Sequence, residues 1–411
     1  MKILVIVESI NVDDSSGSKV NVALIHNLIK SGFQIKVLHY SHKQIKIDGV
    51  DAELIIENKW SLLFLLSRLV RFFQRTTKII INHKLEGFFG FSFTHSNDTK
   101  SIEKAIRKHQ DFQYDLILTL SKGGSFRPHR AMLRFPKLYH KWLAYIHDPY
   151  PFHMYPRPYD WIETSYKQKE KLMLSIIENA KYIAFPSLLL KEWMESYFPK
   201  TSSKSIIIPH QIYNSSLKSE LPEYFNKEEF NLLHAGNLLP QRNPAFLLEA
   251  FQNFLEQNVD AQINAKLFLI GSNSAHHELL KKYRETKNII IKDYVKYNDI
   301  QFIESQTAAN IVLEAVSENS PFLPGKFPNL IISNRPILAL SPYHSEVRRL
   351  LGKNYPYWSK ANDVGSIQKN ITELYINWKK DPKLLNLNRN DLEDYLSPSY
   401  LKNAFLNLTN L

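Results

Sequence analysis

The chain has 411 residues, of which 44% are hydrophobic and 12% aromatic, with no cysteine and a formal net charge of +12. This length predicts two domains, and the composition is typical of a globular protein with ample core. The lack of cysteine excludes a disulfide framework, a thiolate zinc site and a thiol nucleophile. The positive charge favours anionic partners, such as phosphorylated small molecules, anionic lipids or nucleic acid.

The start of the chain does not resemble a targeting segment. Its first apolar run, residues 3–7, is too short for the core of a signal peptide, and acidic residues follow it. No apolar run of the sequence is long enough to span a bilayer. We therefore expect a cytoplasmic protein that is either free or peripheral at the inner face of the plasma membrane.

Residues 59–84 combine basic and large apolar side chains without any acidic one. A basic, aromatic-rich helix of this kind is suited to a membrane interface. The alternative is a buried helix whose arginines reach the solvent along their stems. The apolar residues are too crowded to form one clean face, which favours the buried helix. The basic residues are Lys59, Arg68, Arg71, Arg75, Lys78 and Lys84.

The first half of the chain alternates apolar strands with helices. The strand at 3–7 leads into a polar loop closed by Ser16, Gly17 and Ser18, and a helix and a strand at 35–39 follow. This β-loop-α-β order is typical of a doubly wound parallel sheet. A single glycine is too few for the dinucleotide fingerprint, so no nicotinamide cofactor is expected. Further strands are predicted at 116–120, 142–146, 182–185 and 205–208.

A ligand-binding edge is indicated by His147 and Asp148, which follow the strand at 142–146 directly. Open α/β sheets bind ligands outside the carboxyl ends of their strands. The aromatic and proline-rich loop at 150–161 comes next and suits the presentation of flat binding surfaces. From the residues alone, however, His147 is more often a strand-end histidine that caps a backbone carbonyl.

Residues 211–229 interrupt the pattern and predict a linker. It separates an N-terminal domain at 1–210 from a C-terminal domain at 230–390, and a final helix at 391–411 is expected to return to the N-terminal domain. Strands of the second half are predicted at 231–235, 266–270, 289–291, 311–313 and 337–340. The fold class is therefore α/β, with two doubly wound Rossmann-like domains facing a cleft.

Pro324, Gly325 and Lys326 stand between a buried strand and a predicted helix. A helix N-terminus offers an anion free N–H groups and the positive end of the helix dipole. Gly325 would let a phosphate approach the backbone, and Lys326 would add a full charge. The stretch therefore predicts a phosphate site. The alternative is an ordinary strand-loop-helix unit in which Gly325 serves only the turn.

Taken together, these segments resemble the GT-B glycosyltransferases, specifically the retaining group 1 type that uses nucleotide-sugar donors. HAGNLLPQRNPAFLLEAF is similar to that family's Gly-Arg-Leu…Lys loop and the helix after it. FLPGKFPNLIISNRPILAL is similar to its Pro-Ser-Lys-Leu-Phe-Glu-Tyr…Gly-Lys-Pro element, and His147-Asp148 to its His-Asp at a strand end. The resemblance implies a donor site in the C-terminal domain and an acceptor site in the N-terminal domain.

The resemblance also implies roles for individual residues. It makes His147, Arg242 and Lys326 catalytic. Donor binding falls to Gly17, Gly236, Asn237, Gly271, Tyr294, Val295, Pro324, Gly325, Phe327 and Asn329. Acceptor binding falls to Ser16, Ser18, Asp148 and Tyr150. The chain departs from the family at three positions, because Asn237 replaces an arginine, and Asn329 and Pro321 replace two glutamates, with Glu318 the carboxylate nearest to Pro321.

The residue types agree with transfer from a nucleotide sugar, in which negative charge develops on the leaving diphosphate. Fixed cations and N–H donors then matter more than a covalent nucleophile. No metal and no cofactor are expected beyond the nucleotide-sugar substrate. We predict a glycosyltransferase of cell-surface polysaccharide assembly, such as capsule or lipopolysaccharide synthesis. A lipid-diphosphate-linked or saccharide acceptor at an anionic membrane surface is suggested by Arg127, Arg130, Arg134, Lys137 and Lys141.

Other functions stay open at this point. A non-catalytic GT-B scaffold or partner protein is favoured by the missing glutamates and by Asn237. A nucleotide-sugar epimerase on the same fold would need a general acid–base pair, which the sequence does not identify. Nucleic acid suits the charge, but it is not expected as a partner because the sequence contains no recognised nucleic-acid-binding module.

Overall fold

The computed structural model describes residues 1–110, 113–213 and 220–408. Contacts between residues divide them into two units. The first contains Met1–Tyr155, Asp160–Gln211 and the described part of Leu396–Leu411, and the second contains Pro156–Tyr159 and the described part of Ile212–Tyr395. Residues 214–219 of the predicted linker lie outside the described residues.

The first unit is built on a seven-stranded sheet in the order β3-β2-β1-β4-β5-β6-β7, and all neighbouring strands are parallel. The strands are β1 Lys2–Val7, β2 Gln34–His39, β3 Asp51–Leu54, β4 Leu116–Leu120, β5 Trp142–Tyr145, β6 Tyr182–Phe185 and β7 Ser205–Ile207. The helices are α1 Ser16–Lys30, α2 Leu62–Thr77, α3 Asn82–Phe89, α4 Phe93–His109, α5 Arg127–Met132, α6 Tyr166–Asn179 and α7 Leu188–Tyr197. The central strands are buried apolar runs, as a parallel sheet covered on both faces requires.

The second unit holds a six-stranded parallel sheet in the order β10-β9-β8-β11-β13-β15, and a two-stranded ladder of β12 and β14. Its strands are β8 Phe230–Ala235, β9 Ala265–Ile270, β10 Ile289–Lys292, β11 Ala309–Leu313, β12 Asn319–Ser320, β13 Ile337–Leu340, β14 His344–Ser345 and β15 Trp358–Ser359. Its helices are α8 Ala245–Gln257, α9 Ala261–Asn264, α10 His277–Lys281, α11 Tyr297–Gln306, α12 Phe327–Ile332, α13 Glu346–Leu351, α14 Val364–Lys380 and α15 Asn390–Tyr395. The doubly wound α/β class predicted from the sequence is confirmed for each unit.

The last helix, α16 Pro398–Leu408, packs against the first unit. The rings of Phe405 and Phe33 lie 5.7 Å apart, and the Ser31 hydroxyl donates a hydrogen bond of 2.7 Å to the Pro398 carbonyl. Phe405 is fully buried. The C-terminal segment therefore adds an apolar face to the surface of α1.

The buried helix favoured for residues 59–84 is wrong. α2 is a helix, but Ser67 is its one buried residue, and its leucines and phenylalanines are largely exposed. The sequence shows the apolar content of this segment but not which neighbours cover it. Across the described ranges, no helix has both the length and the apolar character needed to cross a membrane.

Candidate functional site

The strand order of the second unit reverses between β8 and β11, and such a switch point is where open α/β sheets bind ligands. Lys326, the residue before α12, reaches this point with its side chain. Its Nζ donates hydrogen bonds of 3.1 Å to the Ala235 carbonyl, at the end of β8, and of 2.9 Å to the Ile311 carbonyl of β11. The predicted lysine therefore stands at the carboxyl edge of both central strands.

Lys326 does not carry the full charge expected from the sequence. Burial, opposed by the charge of Glu304 and reinforced by that of Arg242, lowers its pKa from 10.5 to about 7. Its Nζ also lies 3.4 Å from Nδ1 of His234, whose own pKa burial holds well below its ordinary value. An anion placed beside this amine would raise its pKa and complete its charge.

Arg242 contributes the second cation. Its backbone N–H closes a turn by donating to the Leu239 carbonyl at 2.9 Å. Within the described residues, its buried Nε has no hydrogen-bond partner. A buried unpaired donor is costly, and a guanidinium binds phosphate oxygens with a geometry that suits two parallel hydrogen bonds. Arg242 therefore brings an unused hydrogen-bond donor for an anionic ligand to this site.

Glu314 follows β11 directly and is only 5% exposed. Burial raises its pKa to about 7, although the hydroxyls of Ser320 and Ser345 and the charge of Arg242 lower it in part. Neither carboxyl oxygen makes a hydrogen bond of good geometry to a described residue, so we regard both serines as weak partners. His234, Arg242, Glu314 and Lys326 together are called the switch-point cluster below. His234 and Glu314 were not predicted from the sequence.

A Glu314→Gln substitution tests this environment. The folded pKa of about 7 lies above the ordinary 4.5, so the protonated form stabilises the fold fully below pH 4.5 and this contribution is lost as the pH rises through 7. We expect the variant to lose this part of the pH dependence, and to be more stable than the parent by about 3 kcal/mol near pH 8. Urea unfolding at several pH values measures both. Glu249→Gln, at an exposed position of α8, is the control, and equal pH profiles for the two variants would contradict the assignment.

Two glycines shape the backbone beside the cluster. Gly236 has φ +155° and Gly271 has φ +133°, both outside the range that other residues adopt readily. Their N–H groups donate to the carbonyls of Ile270 and Lys292, at 2.8 and 3.0 Å. The oxygen of the Asn237 side chain accepts from the Ser272 N–H at 3.2 Å. These groups hold the loops after β8 and β9 together, so the N–H of Gly236 is already used within the fold and is not free for a phosphate oxygen.

The segment at Pro324–Gly325 offers fewer free backbone N–H groups than a helix N-terminus normally does. The Phe327 N–H donates to the Pro324 carbonyl at 2.9 Å, the next residue is Pro328, and α12 has only six residues. The Phe327 side chain is fully buried in the core, and Gly325 is not among the glycines with positive φ. Lys326 is therefore the main contribution of this segment to the site.

The remaining residues predicted to bind the nucleotide-sugar donor differ in their exposure and in the contacts that they already make. The Asn329 amide nitrogen donates to the Tyr297 hydroxyl at 2.6 Å, which leaves its carbonyl oxygen as the acceptor for a ligand hydroxyl. Tyr297 in turn stacks on Tyr213, with 6.3 Å between ring centroids. Tyr294 is 61% exposed, whereas Val295 packs against an apolar cluster under the loop.

In the first unit, the predicted loop after β1 caps helix α1. The Ser15 hydroxyl accepts from the Ser18 N–H at 3.1 Å and lies 3.0 Å from the Ser18 hydroxyl. Ser18 is fully buried, so it supports the cap, whereas Ser16 is exposed. A Cβ at Gly17 would lie 3.5 Å from the Gly123 nitrogen, so the loops after β1 and β4 approach closely here. Ser16 and Gly17 are therefore the accessible residues of this predicted site.

His147 follows β5 and is 7% exposed. Burial holds its pKa well below its ordinary value, and the nearby His210 and His129 lower it further, so its ring is neutral at pH 7. Its Nε2 has no hydrogen-bond partner among the described residues. Tyr150, in contrast, is packed in the core with its ring 4.4 Å from that of Phe126. Of the residues predicted after β5, the partly exposed Asp148 is more accessible than Tyr150.

Three of the five basic residues that suggested a lipid-diphosphate-linked acceptor have partners inside the fold, so they lend it little support, and that acceptor stays a prediction. Arg127 pairs with Glu8 and, at 3.0 Å, with Asp98. Arg130 lies 3.0 Å from His95 and stacks at 4.0 Å on the ring of Phe91. The others are Lys141, which donates to the Tyr114 carbonyl, and the exposed Arg134 and Lys137. Charge composition alone does not show such internal pairing.

No group of three His, Asp or Glu residues that could hold a metal ion occurs in the part of the chain that the structure describes. Both the metal-independent reaction and the absence of a cofactor stay predictions.

Comparison with known proteins gives the fold a name. No protein-family model and no curated protein sequence matched the chain. Among solved structures, trehalose-6-phosphate synthase OtsA has a TM-score of 0.65 at 9% identity, over 100% of this chain and 99% of that one. Sucrose-phosphate synthase from Thermosynechococcus elongatus has a TM-score of 0.63 at 13% identity, over 100% and 98%. WaaG, a glycosyltransferase involved in lipopolysaccharide biosynthesis, has a TM-score of 0.56 at 10% identity, over 98% of each chain. At such identities the similarity is one of fold, and it confirms that this chain has the GT-B fold of the glycosyltransferases.

Proposed function

We propose that this protein is a glycosyltransferase that moves a sugar from a nucleotide-sugar donor to a saccharide or lipid-linked acceptor. The switch-point cluster is the observation that carries the proposal. It sets Lys326 and the unpaired Nε of Arg242 near the carboxyl edge where this fold binds ligands. A trehalose-6-phosphate protein from E. coli with a TM-score of 0.62 was solved with UDP-2-fluoro glucose, which supports a nucleotide-sugar as the ligand.

The reaction needs the chemistry that the cluster offers. The bond between the anomeric carbon and a diphosphate oxygen breaks, a bond to an acceptor oxygen forms, and the acceptor proton leaves with the nucleoside diphosphate. Negative charge grows on the diphosphate during this step, and fixed cations in a site of low dielectric stabilise it. Arg242 and Lys326 are assigned this role, and the carbonyl oxygen of Asn329 is assigned to a ribose hydroxyl. A retaining and metal-independent course is proposed from the resemblance to the group 1 type.

We assign the acceptor to the first unit, at the carboxyl edge that carries Ser16, Gly17 and the neutral His147. Polysaccharide assembly at the cell surface is the proposed setting. The involvement of its structural neighbour WaaG in lipopolysaccharide biosynthesis is consistent with this setting. A lipid-diphosphate-linked acceptor belongs to the same proposal.

A non-catalytic scaffold is the second candidate. It is favoured by Asn237, which stands where the resembling family has an arginine and whose side chain is engaged with Ser272. The internal hydrogen bonds of Lys326 also favour it, because a ligand phosphate would compete with two carbonyls for the same amine. A scaffold that has lost donor binding would not respond to nucleotides.

A thermal-shift titration against UDP, GDP, ADP, dTDP and CMP, with and without magnesium, separates the two candidates. A ligand at about 100 times its dissociation constant stabilises a protein by about 2.7 kcal/mol, which a melting curve resolves. We expect one nucleotide to raise the melting temperature of the parent and not of Arg242→Ala. Arg284→Ala, at an exposed arginine of the same unit, is the matched control and should keep the shift. No shift with any nucleotide would reject the transferase in favour of the scaffold.

A further inference from the structure

Helices α2 and α3 of the first unit expose an unusual amount of large apolar surface. In α3 no residue is buried, and in α2 only Ser67 is. Trp60, just before α2, is 99% exposed, and Phe88 in α3 is 82% exposed. The exposed apolar residues of this region, called the α2–α3 patch below, are Trp60, Leu62, Leu65, Leu69, Phe72, Phe73, Ile79, Ile80, Phe88 and Phe89. Contiguous patches of this kind mark interaction sites.

The patch forms one face of α2. At 3.6 residues per turn, Leu62, Leu65, Leu69, Phe72 and Phe73 fall within an arc of roughly 100°. The opposite side of α2 is fixed to the rest of the unit, because Arg71 donates to the Thr94 hydroxyl of α4 at 3.0 Å. Gln74 binds the start of α3 through the N–H groups of Ile81 and Asn82, at 3.1 Å each. The fold therefore holds the apolar arc outward on a supported helix.

The charged residues of α2 and of the segments at its two ends are all basic. No acidic residue occurs between Lys59 and Lys84. Arg68 and Arg75 lie beside the apolar arc on the helix surface, and the guanidinium of Arg68 rests 4.7 Å above the ring of Phe64. Lys78 ends α2. Glu86, the next acidic residue, lines a cavity of about 100 Å³ among α2, α3 and α4. An outward apolar face bordered by arginines and lysine is complementary to a surface that is apolar inside and anionic outside.

We propose that the α2–α3 patch binds the surface of an anionic phospholipid bilayer, with α2 lying in the plane of the interface. Its leucines and phenylalanines enter the boundary between head groups and acyl chains, as amphipathic helices do. Arg68, Arg75 and Lys78 meet lipid phosphates, and Trp60 takes the interfacial position that tryptophan favours. The inference goes beyond the proposed transfer reaction and does not depend on it.

The charge pattern favours a bilayer over a second copy of the chain. Two patches placed face to face would bring Arg68, Arg75 and Lys78 of both copies together, and like charges in contact are destabilising. A bilayer instead offers anionic groups at the depth of the basic side chains and hydrocarbon below them. Long arginine side chains can lay their apolar stems along the buried face while their charged ends extend toward the head groups.

Co-sedimentation of the full chain with vesicles tests the proposal. We expect binding to phosphatidylcholine vesicles that contain about one third phosphatidylglycerol, weaker binding to phosphatidylcholine alone, and a decline at high salt. The variant Arg68→Gln, Arg75→Gln, Lys78→Gln should bind about 100-fold more weakly, at roughly fivefold per basic residue. Lys281→Gln, Lys282→Gln, Arg284→Gln removes the same charge from an exposed part of the second unit and should bind like the parent.

A second pair of variants tests the contribution of the apolar side chains to vesicle binding. Leu65→Ser, Phe72→Ser should also lose vesicle binding, whereas Val259→Ser, Ile263→Ser, at comparably exposed positions of the second unit, should not. All four residues are exposed, so these variants should fold. Equal binding by the patch variants and their controls, or no binding of the parent to anionic vesicles, would overturn the proposal. So would a patch-dependent dimer in the absence of lipid, since a second copy would then occupy the surface. Nucleotide-induced thermal shifts report on the transfer reaction separately.

Discussion

Gly271→Ala is expected to lower the free energy of unfolding by about 4 kcal/mol, more than most single substitutions do. Gly271 has φ +133°, which a residue with a Cβ adopts only at a cost of about 1–3 kcal/mol. The added Cβ would also lie 2.5 Å from the Gly236 oxygen and 2.7 Å from its carbonyl carbon. Both are backbone atoms fixed by β8 and β9, so neither can yield without moving a strand end. Urea unfolding followed by tryptophan fluorescence measures the loss.

The matched control is Gly352→Ala. Gly352 has φ +102°, but nothing lies within 4 Å of the position that an added Cβ would take. The free energy of unfolding of this variant should fall by only about 1–2 kcal/mol, the part that is due to backbone strain. The difference between the two variants isolates the close approach of the loops after β8 and β9. If Gly271→Ala were no less stable than Gly352→Ala, the loops beside the switch-point cluster would not be packed as described.

Lys326→Met is expected to weaken binding of the donor nucleotide by about 100-fold or more, and to reduce transfer by a similar factor. Methionine keeps most of the apolar stem but removes the amine that joins β8 to β11 and meets the diphosphate. The carbonyls of Ala235 and Ile311 lose a hydrogen-bond donor, at a cost of about 1–2 kcal/mol, but the variant is also relieved of a buried amine whose pKa is lowered to about 7, so nucleotide binding and not stability is the readout. Calorimetric titration with the nucleotide found by thermal shift measures the affinity. Lys282→Met, at an exposed position, should leave it unchanged.

The pH dependence of the same variant is a sharper test. The pKa of Lys326 in the folded chain is about 7, below its ordinary 10.5, so between these values the unfolded chain binds more protons than the folded one. Stability contributed by this group therefore rises as the pH increases from 7 to 10.5, and this rise should be missing in Lys326→Met. Nucleotide affinity should follow the opposite course in the parent and fall above pH 7, as the amine loses its proton. An affinity of the parent that stayed constant through this range would contradict the role assigned to the amine.

The sheets could be predicted because their strands are continuous apolar runs. Residues 116–120, 182–185 and 337–340 were predicted with the bounds that the structure has. β3 was missed because Asp51–Leu54 is an edge strand with partly exposed residues and no apolar run. β15 has two residues, too few for any periodicity. Burial on both faces leaves a clear pattern in a sequence, and an edge strand does not.

The side-chain chemistry of the site was harder to predict from the sequence. The sequence indicated Lys326 and Arg242, but not that the Lys326 amine would donate to two strand carbonyls and lose part of its charge. Glu314 could have been noticed as the charged residue directly after a buried run, yet its partners Ser320 and Ser345 are placed near it only by the β12–β14 ladder. Likewise, the apolar residues of α2 indicated a helix without showing which side α4 would cover. These properties depend on contacts between distant segments.

The central claim is that a nucleoside diphosphate binds at the switch-point cluster. Amide hydrogen exchange tests this claim most directly. The full chain would be compared with and without the nucleotide that gives the largest thermal shift, with the α2–α3 patch as an internal reference. We predict slower exchange in peptides that cover residues 236–242 and 324–329, and unchanged exchange over residues 60–89. Unchanged exchange in the first two peptides, with protection confined to other parts of the chain, would contradict the account.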